Sequence, residues 1–144
     1  MIVVHYPEPQ FRLKEQNGKR YIFDALRKVW LLLTEEEWVR QNFVNYLITQ
    51  LKYPSTVIAL EKEIRLNELK KRFDILVYDK AHKPWMLIEC KEPNVNLSEE
   101  VLQQVLRYNI SVPVEFVVIT NGNTTIGWKK ESELRLLNEM PQWI

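Results

Sequence analysis

Two acids and a lysine are the residues in this sequence best suited to do chemistry together. Asp74 lies in one apolar run, and the triplet Glu89-Cys90-Lys91 ends the next apolar run along the chain. Such near-continuous apolar runs are typical of central strands that are covered on both faces. Within a strand, Glu89 and Lys91 point to one face and Cys90 points to the other. The sequence therefore predicts that polar side chains meet on one face of an otherwise apolar sheet.

The turn between the two runs decides which side chains oppose each other. If Asp79 and Pro84 close a four-residue loop, paired positions sum to 163, and Asp74 faces Glu89 directly. Opposed side chains in an antiparallel pair lie about 4.5–5.5 Å apart at Cβ, a separation at which two carboxylates repel each other. A slip of one residue would send Asp74 and Glu89 to opposite faces, so this prediction depends on the loop.

A hard divalent cation is one way to neutralise such a carboxylate pair. Mg²⁺ prefers oxygen ligands, and Asp74, Glu89 and the backbone carbonyl of Cys90 offer three of them. The other ways are structural. One carboxyl is protonated, or Lys91 and Arg72, which the same register places opposite each other, neutralise both acids as a charge cluster. From the residues alone, both interpretations stay open.

The elements that must position these residues follow from the local patterns. Asn17-Gly18 between two mixed runs predicts a β-hairpin arm, because both turn positions need a positive φ. Thr34 and Glu37 form a capping box that opens a helix at about 35–52, and Ser98 caps a second helix at about 98–110. Strands are expected at 57–66, 73–78, 85–91, 114–120 and from 125 onward, and a short terminal helix is expected at about 131–138.

The alternation of these elements predicts a single mixed α/β unit, with residues 1–33 as the arm and residues 34–144 as the body. The chain has 144 residues, of which 27% are charged, and its formal net charge is +1. Binding to nucleic acid must therefore depend on a local patch. Glycine-rich phosphate-binding motifs are absent from the sequence, which excludes nucleotide-driven motors and Rossmann cofactor binding.

Zinc binding and secretion are also disfavoured. His5, His82 and the single cysteine do not have the spacing of a zinc site. Cys90 is expected to be a small buried hydrophobic residue, and one cysteine is typical of a reducing compartment, here the cytoplasm. The longest apolar runs are too short for a membrane span, so no membrane partner is expected.

In this order, Asp74 followed by Glu89-x-Lys91 resembles the PD-(D/E)XK restriction-endonuclease-like nucleases. Over roughly residues 20–130 the chain looks like the nuclease domain at the N-terminus of type I restriction enzyme R (motor) subunits. Phe73 stands where the superfamily carries a proline, and a chain without the helicase motor of known members is expected. The stretches that carry the likeness are Glu36–Gln41, Lys71–Asp74, Leu87–Lys91, Gln104-x-x-x-Tyr108 and Thr120–Gly122.

The resemblance implies a restriction-endonuclease-like mixed β-sheet flanked by helices, and metal-dependent hydrolysis of DNA phosphodiesters. Asp74 and Glu89 would bind Mg²⁺, or Mn²⁺ as a substitute, which activates a water and offsets charge on the phosphodiester. Lys91 would orient or deprotonate that water. Gln104 and Tyr108, which share a helical face, would position the lysine or contact the phosphate. Without the resemblance, a tyrosine packed on the sheet beside a solvated glutamine is the simpler interpretation.

A glutamate on the first helix often completes the site in this superfamily. Glu36 shares a stripe with Arg40 and is the preferred candidate, since Glu37 is engaged by the capping box. Three basic residues are expected to contact the DNA backbone, although interleaved glutamates leave a mixed solvated surface as an alternative. These three residues are Lys71, Arg72 and Arg107.

Two other functional hypotheses remain open. The chain could be a non-catalytic module that binds nucleic acid or protein and retains the fold. It could also act as a subunit to which a separate motor or specificity protein supplies DNA targeting. A homodimer is a further hypothesis, because exposed tryptophans near the hairpin would suit a dimer interface. The sequence does not distinguish DNA from RNA, or single strands from duplexes.

Overall fold

The computed structural model describes residues 1–66 and 68–144. A small N-terminal sheet precedes a larger sheet that is covered by one helix on each face. In chain order the elements are β1 (Leu13–Gln16), β2 (Lys19–Asp24), β3 (Val29–Leu32), α1 (Glu35–Thr49), a 3-10 turn (Ser55–Val57), β4 (Ile58–Leu66), β5 (Leu69–Tyr78), β6 (Pro84–Cys90), α2 (Glu99–Asn109), β7 (Phe116–Thr120), β8 (Thr125–Lys130) and β9 (Leu134–Leu136).

The larger sheet runs β4-β5-β6-β7-β8-β9, and its strands are antiparallel except for the parallel pair β6–β7. Helix α2 makes the crossover that a parallel pair requires. Successive residues of β6 pack on opposite sides: Ile88 joins the core beneath α1, and Leu87 joins the core beneath α2. The predicted mixed α/β architecture is confirmed. No helix in the described part of the chain is long and apolar enough to cross a bilayer.

The predicted N-terminal hairpin is confirmed and is one strand larger than expected. Asn17 and Gly18 have φ values of 54° and 75°, as a two-residue turn of this kind requires. Strand β3 pairs with β2 to complete a three-stranded sheet. Ile22 is fully buried on the inner side of this sheet. The segment before the hairpin also joins the main fold, because Ile2 is buried and bridges to Thr125, the first residue of β8.

The β5–β6 register is as predicted, but the loop that produces it is not. Ile75↔Ile88, Leu76↔Leu87 and Val77↔Met86 all follow the expected pairing. Pro84, however, pairs with Tyr78 and not with Asp79, and the register shifts between Val77 and Tyr78. The loop is thus one residue longer than predicted at its β5 end, and Trp85 is an extra, unpaired residue on β6. The two changes offset each other, so the pairing from Val77↔Met86 onward is the predicted one.

Both helix caps form, while the predicted terminal helix is wrong. The Thr34 hydroxyl accepts from the backbone N–H of Glu37, but the Glu37 carboxylate turns to side chains of its own helix, so only half of the capping box exists. Helix α1 ends at Thr49, before the predicted end at about 52. Residues 131–138 contain strand β9, which pairs with β8. Glu131 and Arg135, four residues apart, form an ion pair at 2.9 Å, although the segment contains a strand and not a helix.

Candidate active site

The site begins where β5 and β6 stop pairing. Among the described residues, their ladder ends at Ile75↔Ile88, one position short of Asp74 and Glu89. Beyond it, the Asp74 side chain accepts the backbone N–H of Cys90 at 2.8 Å, in the place of a backbone partner. The expected direct pairing of Asp74 with Glu89, and the pairing of Arg72 with Lys91 after it, are therefore absent from the ladder.

Asp74 also lies where the regular alternation of side chains along β5 is interrupted. Phe73 and Leu76 both join the core beneath α2, although strict alternation would separate them. On the neighbouring strand, Glu61 has a φ of 51°, in the left-handed region, and is missing from the ladder between Leu60 and Lys62. This local irregularity leaves the Asp74 carboxylate at an opening in the sheet, in contact with both α1 and β6.

Glu89 and Lys91 leave the end of β6 on the same face, as predicted. The Lys91 Nζ lies 3.5 Å from the Glu89 Oε1, and both side chains remain partly accessible. Burial raises the pKa of Glu89 to about 7, with a further contribution from the negative charge of Asp74 and partial compensation by Lys91. Glu89 is therefore a carboxyl that changes charge near neutral pH, in an environment that favours an added positive charge.

Arg40 on α1 was not identified from the sequence, yet it holds the acidic side of the site together. It is almost fully buried, and its guanidinium lies 2.5 Å from Glu37 and 3.2 Å from Asp74. It also contacts Glu36 and Glu61, each at 3.2 Å. These carboxylates raise the pKa of Arg40 despite its burial, so its charge is fixed.

Glu61 extends this network toward the N-terminal sheet. Its carboxylate meets Arg27 at 2.8 Å, Arg40 at 3.2 Å and Arg72 at 3.3 Å. These arginines lower the pKa of Glu61, although burial alone would raise it. Arg27 in turn pairs with the buried Asp24 at the end of β2. A continuous chain of ion pairs thus joins the N-terminal sheet to Asp74.

The two candidate glutamates of α1 occupy different environments. Glu37 is buried and accepts from Arg40 and Gln41 inside the fold. Glu36 is partly exposed, and burial together with the charge of Asp74 raises its pKa, while Arg40 and Lys91 act in the opposite direction. Of the two, Glu36 is thus the one whose charge interacts with the Asp74 and Lys91 side chains.

Gln104 and Tyr108 of α2 line a surface cleft of about 330 Å³ with Glu89, Lys91 and Arg72. Tyr108 is 53% exposed, so it is not packed on the sheet as the simpler interpretation supposed. The structure therefore brings four of the predicted residues, Glu89, Lys91, Gln104 and Tyr108, to the lining of one cleft. Asp74 does not line it, but its carboxylate accepts the N–H of Cys90 next to Glu89, and its charge acts on both Glu89 and Glu36.

The three basic residues expected on the DNA backbone have different surroundings. Lys71 is buried, and its ammonium donates to the Tyr108 carbonyl and lies 4.6 Å from the centre of the Tyr108 ring. This ammonium supports α2 from within and does not face solvent, in contrast to the expected phosphate contact. Arg72 is exposed at the rim of the cleft, where it pairs with Glu61, and Arg107 is exposed on α2.

The donor chemistry of the opening fits a hard cation. Asp74 and Glu89 offer carboxylate oxygens, and the Cys90 carbonyl leaves β6 on the same side as the N–H that Asp74 accepts. The described residues contain no group of three or more acidic, histidine or cysteine side chains arranged around a metal position. Mg²⁺ commonly binds through one or two carboxylates and keeps several waters, so such a group is not required. Burial raises the pKa of the Cys90 thiol well above its usual value.

Comparisons with known proteins agree with this fold. A family model described as the type I restriction enzyme R protein N terminus matches residues 35–142. A solved structure of a candidate nuclease belonging to DUF820, from Anabaena variabilis ATCC 29413, superposes with a TM-score of 0.50 at 13% sequence identity. The match covers 92% of this chain and 80% of that one. The search of curated proteins gave no match.

Proposed function

The chain belongs to the family of type I restriction enzyme R protein N-termini, of the PD-(D/E)XK type, and from this premise we propose that it is a metal-dependent DNA endonuclease. Its reaction would be hydrolysis of phosphodiester bonds at the opening beside Asp74, with Mg²⁺ as cofactor and Mn²⁺ as a substitute. The observation that carries the proposal is the end of pairing between β5 and β6. There the Asp74 carboxylate accepts the N–H of Cys90, beside a solvent-open cleft that Glu89 and Lys91 line.

The cofactor would be held by Asp74, Glu89 and the Cys90 carbonyl. When bound, a divalent cation would lower the pKa of a water that it binds and would offset negative charge on the phosphodiester. Asp74 is positioned for this role by the Cys90 N–H and by Arg40. Glu89 must lose its proton to act as a ligand, so the rate should rise with pH through about 7.

Lys91 contributes a positive charge to the cleft beside Glu89, and Arg72 contributes another at the rim. Its ammonium, 3.5 Å from Glu89, is held close to one expected ligand and can orient the attacking water or stabilise charge at phosphorus. Gln104 and Tyr108 face the same cleft from α2, where an amide and a phenol can donate to phosphate oxygens. Glu36 adds a carboxylate from α1 whose charge interacts with Asp74 and Lys91.

The direct test is cleavage of supercoiled plasmid in Mg²⁺ and in Mn²⁺ by wild type, Lys91→Ala and Lys83→Ala. Lys83 is an exposed residue of the β5–β6 loop and serves as the matched control. Nicking by wild type and by the control, but not by Lys91→Ala, would support the proposal. Equal nicking by all three would refute the assignment of the site.

The alternative function is a binding module that retains the fold without catalysis. One observation favours it: the guanidinium of Arg40 already neutralises Asp74 and contacts Glu36, so the acids have a counter-charge without a metal. Thermal unfolding with and without Mg²⁺ separates the two functions. A stabilisation by Mg²⁺ that disappears in Asp74→Ala favours the nuclease, whereas its absence favours the module. If wild type binds metal but does not cleave, a partner motor or specificity protein is required.

A further inference from the structure

The outer face of the N-terminal sheet combines aromatic rings with cations. Pairing in the sheet places Lys14 opposite Tyr21 and Phe23 opposite Trp30, all on the side away from the buried Ile22. The Arg12 guanidinium lies 4.6 Å from the centre of the Phe23 ring and 5.3 Å from that of Trp30. The Lys14 ammonium lies 4.4 Å from the Trp30 ring. We call this surface the outer face; its members are Arg12, Lys14, Lys19, Tyr21, Phe23 and Trp30.

The charge on this face has one sign. Its three cations are Lys14 and Lys19 in the strands and Arg12 just before β1, whereas the acids Glu15 and Asp24 alternate to the inner side, as does Arg20. The chain as a whole is almost neutral, with a formal net charge of +1, but the members of this face carry only positive charge. A surface of this kind is complementary to a polyanion.

The rings determine which polyanion fits. Tyr21, Phe23 and Trp30 are only partly buried, and the cations Arg12 and Lys14 lie over the rings. The exposed Leu32, opposite Tyr21, is an apolar neighbour on the same side. Unpaired bases stack on aromatic side chains and on arginine planes, while neighbouring cations follow the phosphates. A duplex hides its base faces and could use only the cations. We therefore propose that the outer face binds a single strand of nucleic acid by base stacking.

This surface is fixed to the candidate active site by the ion pairs described above. Arg27, at the turn after β2, contacts Glu61, which contacts Arg40, which contacts Asp74. A nucleic-acid strand bound to the outer face would thus lie on a sheet that ion pairs connect to Asp74. The inference rests on the proposed function for the role of this strand as substrate, but the binding itself is independent of cleavage.

The test is binding of fluorescein-labelled oligothymidylate, alone and annealed to its complement, in EDTA so that no cleavage occurs. Arg12→Gln/Lys14→Gln removes two charges from the outer face, and Lys80→Gln/Lys83→Gln removes two from the exposed β5–β6 loop as a control. The first variant should weaken single-strand binding about tenfold or more and reduce the slope of log K against log salt by about 1.4. The control variant should bind like wild type.

Trp30 tests the stacking separately. Trp30→Leu should lower the affinity for the single strand by roughly fivefold to a hundredfold, while Trp30→Phe should retain most of it. Thermal unfolding of each variant identifies any loss of fold, and the phenylalanine variant keeps the test valid if the leucine variant unfolds. Equal losses in both charge variants, tighter binding to the duplex, or no loss in any variant would overturn the proposal.

Self-association is the remaining outcome that would contradict this proposal. If light scattering shows a dimer that Trp30→Leu dissociates, the outer face is an interface between two copies of the chain. A failure of the plasmid assay would leave the binding result intact, because oligothymidylate binding is measured without metal. The two proposals therefore fail separately.

Discussion

Replacement of Glu89 by glutamine is expected to stabilise the fold at neutral and alkaline pH while removing activity. Burial, together with repulsion from Asp74, raises the pKa of Glu89 from 4.5 to about 7. In the unfolded chain the carboxyl keeps its ordinary pKa, so the unfolded state loses its proton first as the pH rises. The carboxyl therefore opposes folding increasingly above pH 4.5, and the full penalty is reached above about pH 7.

The size of the effect follows from the shift. One pKa unit corresponds to about 1.4 kcal/mol, so a rise from 4.5 to about 7 destabilises the ionised folded state by about 3 kcal/mol. At pH 5 the same relation gives a penalty of roughly 1 kcal/mol. Glu89→Gln, which has no carboxyl to ionise, should thus exceed wild type in unfolding free energy by roughly 1 kcal/mol at pH 5 and about 3 kcal/mol at pH 8.

Urea unfolding followed by tryptophan fluorescence, in metal-free buffer at both pH values, measures this difference. Glu139→Gln, at an exposed position, is the control and should follow wild type at both. Mg²⁺ should stabilise wild type at pH 8 and leave Glu89→Gln unchanged, because the cation relieves the same repulsion. A glutamine variant whose advantage does not grow with pH, or which is less stable at pH 8, would refute the reasoning.

Two further substitutions test the network and the hairpin. Arg40→Gln should destabilise the fold by about 3–5 kcal/mol, because it leaves the buried Glu37 and the partly buried Asp74 without their counter-charge. Urea unfolding measures the loss, and a loss below about 1 kcal/mol would contradict this expectation. Gly18→Ala should lower stability by about 1 kcal/mol because its φ is 75°, whereas Gly18→Asn, which tolerates this conformation, should be close to neutral. Nothing lies within 4 Å of an added Cβ at Gly18, so a steric clash does not contribute to the loss. A much larger loss would therefore contradict an explanation from backbone conformation alone.

The sequence predicted those elements whose signals are local. The Asn17-Gly18 turn, the Thr34 and Ser98 caps and the apolar strands depend on residues close together in the chain, and all are present. The strand at Leu134–Leu136 was not predicted, since its residues are exposed and its pairing with β8 is a tertiary contact.

The site was predicted in outline but without its counter-charge. From sequence, Arg40 is a partner for Glu36 one helical turn away, and nothing local connects it with Glu61 or Asp74. Glu61 was not predicted to belong to the site, because its position depends on an irregular backbone conformation at that one residue. Lys71 was grouped with exposed cations, although its contact with Tyr108 depends on how α2 packs against β5.

The bridge between Ile2 and Thr125 has a consequence for the kinetics of folding. The two residues lie more than 120 positions apart, and the closest neighbours of an added Cβ at Gly127 would be Ile2 and Leu137, at 3.1 Å. Such a long loop must close before its contacts contribute, so this edge of the sheet should form late. The β5–β6 hairpin is local and can form early. During synthesis on the ribosome, the strands that carry Asp74 and Glu89 would be paired before the segment around Ile2 finds its place.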